Sequence, residues 1–218
     1  DFLMGEIGIM DVLVEKKHLN LMQFFEGYVN CYRTMNLSAD HNTSMFTKRE
    51  IEFFMKLGEM LGFHVFIEDF KPNEELGRSR PMDLAWWKWD ARIDLKHYAY
   101  LALHLERESL AQKDIETIDK LFSTTDSGYV PHNVIGIQYV TSADRMDLLN
   151  ERILEKNKVQ QSNVLIVYRY IDDVLNVQRV HAYSITNEGI KEERNAILQQ
   201  DRLGYYYMCF EEEYARIK

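Results

Sequence analysis

Arg80-Pro81-Met82-Asp83-Leu84-Ala85-Trp86-Trp87 and Tyr100-Leu101-Ala102-Leu103-His104-Leu105-Glu106-Arg107-Glu108 are the stretches on which the fold turns. Each reads as a strand that is mostly apolar and carries acid groups in one place. Alternate residues of a strand share a face, so Glu106 and Glu108 point the same way. With the two strands side by side, Asp83 joins them and three carboxylates meet. Two like charges 4 Å apart repel by on the order of 4 kcal/mol at an effective dielectric near 20. Such a cluster needs a cation, a proton or water to relieve it. The alternative is a strand end from which Glu106 and Glu108 run out into solvent, as charged residues mostly do.

Working outward, residues 10–36 read as one or two helices, with Val12, Leu13, Leu19, Met22, Phe25, Val29 and Tyr32 as apolar positions. Residues 37–46 form a polar, turn-rich linker. Thr47-Lys48-Arg49-Glu50 has the form of a capping box opening a helix that closes at Gly62. Phe54, Leu57, Gly58 and Leu61 make its apolar line, and Glu50, one turn before Phe54, borders that line. His64 to Glu68 reads as a first strand, and a charged loop containing Gly77 follows. After the two acidic strands the pattern predicts a helix over 111–123, with Ile115, Ile118 and Leu121 or Phe122 on one side. A strand at 133–140, a charged helix at 143–160 and strands at 163–170 and 177–185 come next. Residues 189–200 read as a short helix and 205–210 as a last strand. Uninterrupted apolar strands such as 133–140 and 163–168 suit a sheet covered by helices on both faces.

Acids outnumber bases 35 to 26 among 218 residues, for a net charge of −9. That argues against a broad nucleic-acid surface, although Lys71, Arg78, Arg80, Lys88, Arg92 and Lys96 surround the first acidic strand. They form either a local basic cluster for a polyanion or a solvated loop. No run approaches the roughly 20 apolar residues that span a bilayer, so no membrane partner is expected. The first six residues lack the basic and apolar regions of a signal peptide. Cys31 and Cys209 have no metal-type spacing and fit reduced thiols in a cytoplasmic protein. His104 shares a face with Glu106, which suits a transition-metal ligand or, more simply, a packed and hydrogen-bonded histidine. Trp86, Trp87 and Trp89 are of a type that stacks on bases, but Trp86 and Trp87 must face opposite ways and at least one belongs to the core. Asp172-Asp173 reads as a hairpin turn.

The order helix, three strands, helix, strand, with Asp83 in Pro81-Met82-Asp83 and Glu106 in Glu106-Arg107-Glu108, resembles the PD-(D/E)XK nuclease superfamily over roughly residues 47–170. The resemblance implies an α/β fold with a restriction-endonuclease-like core, a mixed central sheet flanked by helices. It divides the chain into an N-terminal helical extension, 1–46, and a nuclease-like domain, 47–218. It implies Asp83 and Glu106 as ligands of Mg²⁺ or Mn²⁺, with Glu108 orienting or deprotonating water or serving a second ion. Pro81-Met82-Asp83 has one residue more than a bare Pro-Asp. The strand lysine of the family's commonest form falls on Glu108, so Lys120 of the following helix is the candidate replacement. Glu50 corresponds to the acid often carried on the first helix. The implied activity is hydrolysis of phosphodiester bonds in DNA, and a homodimer is compatible with it. The rival expectation is a nuclease fold without catalysis that binds a protein partner as a regulator.

Overall fold

A computed structural model describes residues 15–69, 82–123 and 128–217. Its elements are α1 (Leu21–Cys31), α2 (Thr43–Met60), β1 (His64–Asp69), β2 (Met82–Lys88), β3 (Tyr100–Glu108), α3 (Asp114–Leu121), β4 (Asn133–Tyr139), α4 (Asp144–Gln160), β5 (Asn163–Asp172), β6 (Val177–Thr186), β7 (Gly189–Gln200), β8 (Tyr206–Phe210) and α5 (Glu211–Ile217). The strands form one mixed sheet in chain order, β1 to β8. β3, β4 and β5 run parallel, and every other neighbouring pair is antiparallel. The fold is therefore mixed α/β, with helices on both faces of the sheet.

The two parallel connections explain the layering. A strand–helix–strand crossover is right-handed in nearly all proteins, and both crossovers step along the sheet in the same direction. Their helices, α3 and α4, consequently cover the same face. Ile118 and Leu121 of α3 and Leu149 and Ile153 of α4 pack there on Val134, Val164 and Ile166. Helices α1 and α2 cover the other face, where Leu21, Phe25, Val29 and Phe54 meet Leu84, Trp86, Leu103, Leu105, Ile135 and Val167. Residues of the expected N-terminal extension thus share a core with the sheet.

β2 and β3 pair out of step at one point: Trp86 faces Leu103 but Trp87 faces Leu101, leaving Ala102 unpaired as a bulge. Trp86 and Trp87 do point to opposite faces, and both are buried. Neither is free to stack on a base.

Several expectations need correction. The helix expected to open at Thr47 opens one turn earlier, at Thr43, inside the expected linker. Its cap is Asn42, whose side chain accepts from the Met45 amide. Thr47 is interior and donates to the Thr43 carbonyl, so Thr47 and Glu50 make no capping box. The closure at Gly62 stands: it takes φ +85°, a left-handed conformation that glycine adopts without cost. Residues 189–200, expected as a helix, form β7. Their Lys, Glu, Arg, Ala, Leu and Gln are good helix formers, but pairing with β6 along nearly the whole strand overrides propensity. Ile115, expected on the inner side of α3, is exposed, and α5 was not foreseen.

Residues 15–20 are not helical, and α1 begins at Leu21 with Asn20 as its cap. Asp172 does make a turn, accepting from the Val174 and Leu175 amides. Pro81, Lys71, Arg78, Arg80 and Gly77 lie outside the described residues.

Gly136 fixes how near α3 lies to the sheet. A Cβ added there would come within 2.6 Å of Ile166 Cδ1 and 2.9 Å of Leu121 Cδ1. Gly136→Ala should therefore overpack the α3 seat and cost about 1–3 kcal/mol. Urea unfolding checks this; an unchanged midpoint would mean that α3 shifts freely.

Candidate functional site

On the α3 face, at the carboxyl end of β3, Asp83 and Glu106 stand side by side. Leu84 pairs with Leu105 in antiparallel register, which sets Asp83 opposite Glu106 one step further on. Asp83 Oδ2 accepts from the Arg107 main-chain amide at 2.8 Å. His104, two residues before Glu106 on the same face, donates from Nε2 to Glu106 Oε1 at 2.8 Å. Lys120 Nζ lies 3.7 Å from Glu106 Oε2. Glu106 is 3% exposed, so this is a buried carboxylate rather than a solvated strand end.

Lys120 reaches the site because of how α3 is seated. Glu106 pairs with Gly136 in the parallel β3–β4 register, and the missing side chain lets α3 approach. Two ion-pair groups hold α3 to α4 at a fixed rotation: Asp114 with Arg145, and Asp119 with Arg152 and Lys156. Lys120 follows Asp119 directly, so its direction is set by that clamp.

The electrostatics of the pair are unfavourable by design. Burial raises the Asp83 carboxyl first, and the Glu106 charge raises it further. The Arg107 amide and the Lys120 ammonium pull the other way without prevailing, and the group ends pushed up to about 7. Two carboxylates this close in a partly dry setting are held apart from full ionisation unless a cation joins them. Hard oxygen donors of this kind suit Mg²⁺, which commonly takes one or two carboxylates and completes its shell with water and phosphate oxygen. Asp83 and Glu106 fit that description.

Two other sequence-derived site residues stand elsewhere. Glu108 is half-buried at the end of β3, where its Oε1 accepts from the Leu110 amide at 2.9 Å. Among the described residues no three His, Cys, Asp or Glu side chains form a group placed to hold a metal ion. Glu50 lies on the opposite face of the sheet, fully buried between Arg107 and Arg169. Tyr28 also donates to it. The position beside the buried line of α2 was legible, but its partners were not. Arg107 and Arg169 sit 57 and 119 residues away in sequence, on strand positions whose facing depends on register. Arg107 joins the two faces: its main-chain amide holds Asp83 on one, and its guanidinium holds Glu50 on the other.

His104 is the packed, hydrogen-bonded residue of the plainer reading. Lys88, Arg92 and Lys96 are exposed, and Arg92 pairs with Asp90. No helix among the described residues is long and apolar enough to cross a membrane.

No protein-family model and no curated protein matches this chain. Among solved structures, the central domain of yeast acetyl-CoA carboxylase is similar at TM-score 0.38 and 11% identity, over 75% of this chain and 26% of that one. The chain thus spans about a quarter of that structure's length.

Proposed function

We propose that this protein is a divalent-metal-dependent hydrolase of phosphodiester bonds in DNA, of the PD-(D/E)XK type. The observation that carries the reading is the Asp83–Glu106 pair at the carboxyl end of β3, with Glu106 buried, Asp83 partly buried and Lys120 beside them. Support also comes from the order of elements: helix α2, the antiparallel meander β1–β2–β3, helix α3 and the parallel strand β4. In this reading Asp83 and Glu106 hold Mg²⁺ or Mn²⁺. The ion supplies Lewis-acid polarisation of the phosphoryl group and an activated water. The Arg107 amide and the His104 ring fix the two carboxylates so that they present oxygen in a set direction. Lys120 places a positive charge where the phosphoryl oxygens gain negative charge. Glu108, released from the Leu110 amide, is the group that would orient the attacking water.

Glu106→Ala should abolish Mg²⁺-dependent cleavage of plasmid or linear DNA, and wild-type protein that cleaves no form of DNA with either ion would end the reading. Lys120→Ala should lower the cleavage rate by about 10²–10³-fold, the range for loss of one charge-stabilising donor. Because Lys120 is half-exposed at 47%, its removal should leave the folding free energy within about 0.5 kcal/mol of wild type. A rate loss without a stability loss separates the charge from a packing role.

One observation favours a second reading. Glu108 occupies the position of the strand lysine and is engaged with the main chain, as in a fold kept for binding a protein partner. Calorimetric titration with Mn²⁺ decides between them: uptake that is lost in Glu106→Ala supports the hydrolase, and no uptake supports the regulator.

A further inference from the structure

On the α1/α2 face, beyond the first turn of α2, lies a cavity of about 640 Å³. Its floor is built at the carboxyl ends of the parallel strands, by Arg107, Tyr139 and Arg169. Ligands of α/β proteins commonly bind at such strand ends, and the volume suits a small organic molecule. No Asp or Glu lines it, in a chain where acids outnumber bases 35 to 26.

The floor carries surplus positive charge. Glu50 is one carboxylate between two buried guanidiniums, so one positive charge is left unbalanced. Arg169 spends Nε on Gln178 Oε1 at 2.9 Å, and its Nη2 makes no hydrogen bond among the described residues. Buried charge without a counter-charge is costly, and an anion above it relieves that cost. Arg107 transmits its charge outward: Nη1 donates to the Ser109 hydroxyl, whose own proton remains to be donated into the cavity that Ser109 lines. Phe46 and Tyr206 supply an aromatic wall, their rings edge to face at 5.6 Å.

We propose that this cavity binds a small phosphate ester of about mononucleotide size, with its phosphate toward Ser109 and the arginine floor and its ring against Phe46 and Tyr206. The site is separate from the Asp83–Glu106 pair and does not depend on the hydrolase reading.

Gln178→Glu tests it directly. The glutamate keeps the acceptor for Arg169 Nε and adds the missing negative charge, so the variant should fold with an equal or higher melting temperature. Calorimetry with nucleoside monophosphates should show one site in wild type, weakened at least tenfold in Gln178→Glu. Ser109→Ala, which removes only the outward donor, should weaken binding as well and serves if the first variant fails to fold. Lys120→Ala, on the other face, should bind as wild type does, whatever its effect on cleavage. A short DNA oligonucleotide, titrated in parallel, separates a free nucleotide from one within a strand. Failure of every mononucleotide to bind, binding of the oligonucleotide only, or undiminished binding by Gln178→Glu would each overturn the assignment.

Discussion

Glu50→Gln is expected to cost about 3–5 kcal/mol of folding stability, the range for removing one partner from a buried ion pair. The side chain is fully buried, and both Arg107 and Arg169 are held against it. Glutamine keeps the shape and leaves two guanidiniums facing each other without a counter-charge. For a chain of this size, about 4 kcal/mol corresponds to a fall of roughly 10 °C in melting temperature. The acid dependence has a definite sign. Burial acts to raise the Glu50 carboxyl, but Arg169 and Arg107 together outweigh it and hold the group below its ordinary value. Its contribution is therefore complete above the ordinary carboxylate range and is lost as pH falls through the lowered value in the folded state. Urea unfolding at neutral pH should separate variant from wild type by the full amount, and the gap should close in strong acid. A neutral-pH difference under about 1 kcal/mol would show that the two arginines find other compensation.

This buried triad also marks the limit of what was legible in the sequence. The acidic strands and the shared face of Glu106 with Glu108 follow from two-residue periodicity, which is local; the approach of Asp83 to Glu106 needs the β2–β3 register, and Glu108 does not join them. The reach of Lys120 followed from the resemblance, and its physical cause is the Gly136 notch, visible only once β3 and β4 are in register. The helical periodicity sets Glu50 against a buried face, as found, whereas the Thr47–Glu50 spacing mimics a capping box in the interior of α2. The polar run before Thr47 hid Asn42, an equally good cap one turn earlier. The β7 error has the same origin: residues 189–200 carry helix-forming side chains, and only the long pairing with β6 makes them a strand. Local signals located carboxylates and core positions; partners distant in sequence decided what each carboxylate does.

Asp83→Asn should have the opposite effect on stability from Glu50→Gln, and that contrast would support the proposed cation site over a structural ion pair. The Asp83 carboxyl is pushed up to about 7 by burial and by Glu106, from an ordinary 3.8. Between those values the folded state holds a proton that the unfolded state has released, so wild-type stability falls as pH rises from about 4 to about 7 and is level above. Three pKa units correspond to about 4 kcal/mol at most, and partial exposure reduces this to on the order of 2 kcal/mol. Asparagine removes the repulsion, offers an N–H toward Glu106 and keeps an oxygen for the Arg107 amide. The variant should thus be more stable than wild type at pH 8 and nearly equal to it at pH 4 and, under the proposed hydrolase reading, should lack metal-dependent cleavage. Added Mg²⁺ should narrow the gap at pH 8, because the ion relieves the wild-type pair and has one ligand fewer in the variant. Urea titrations at both pH values, with and without Mg²⁺, measure all of this. An Asp83→Asn protein that is less stable at pH 8 would mean that the carboxylate is held by contacts stronger than the repulsion, and the pair would then be a structural element with no strain for a metal to relieve.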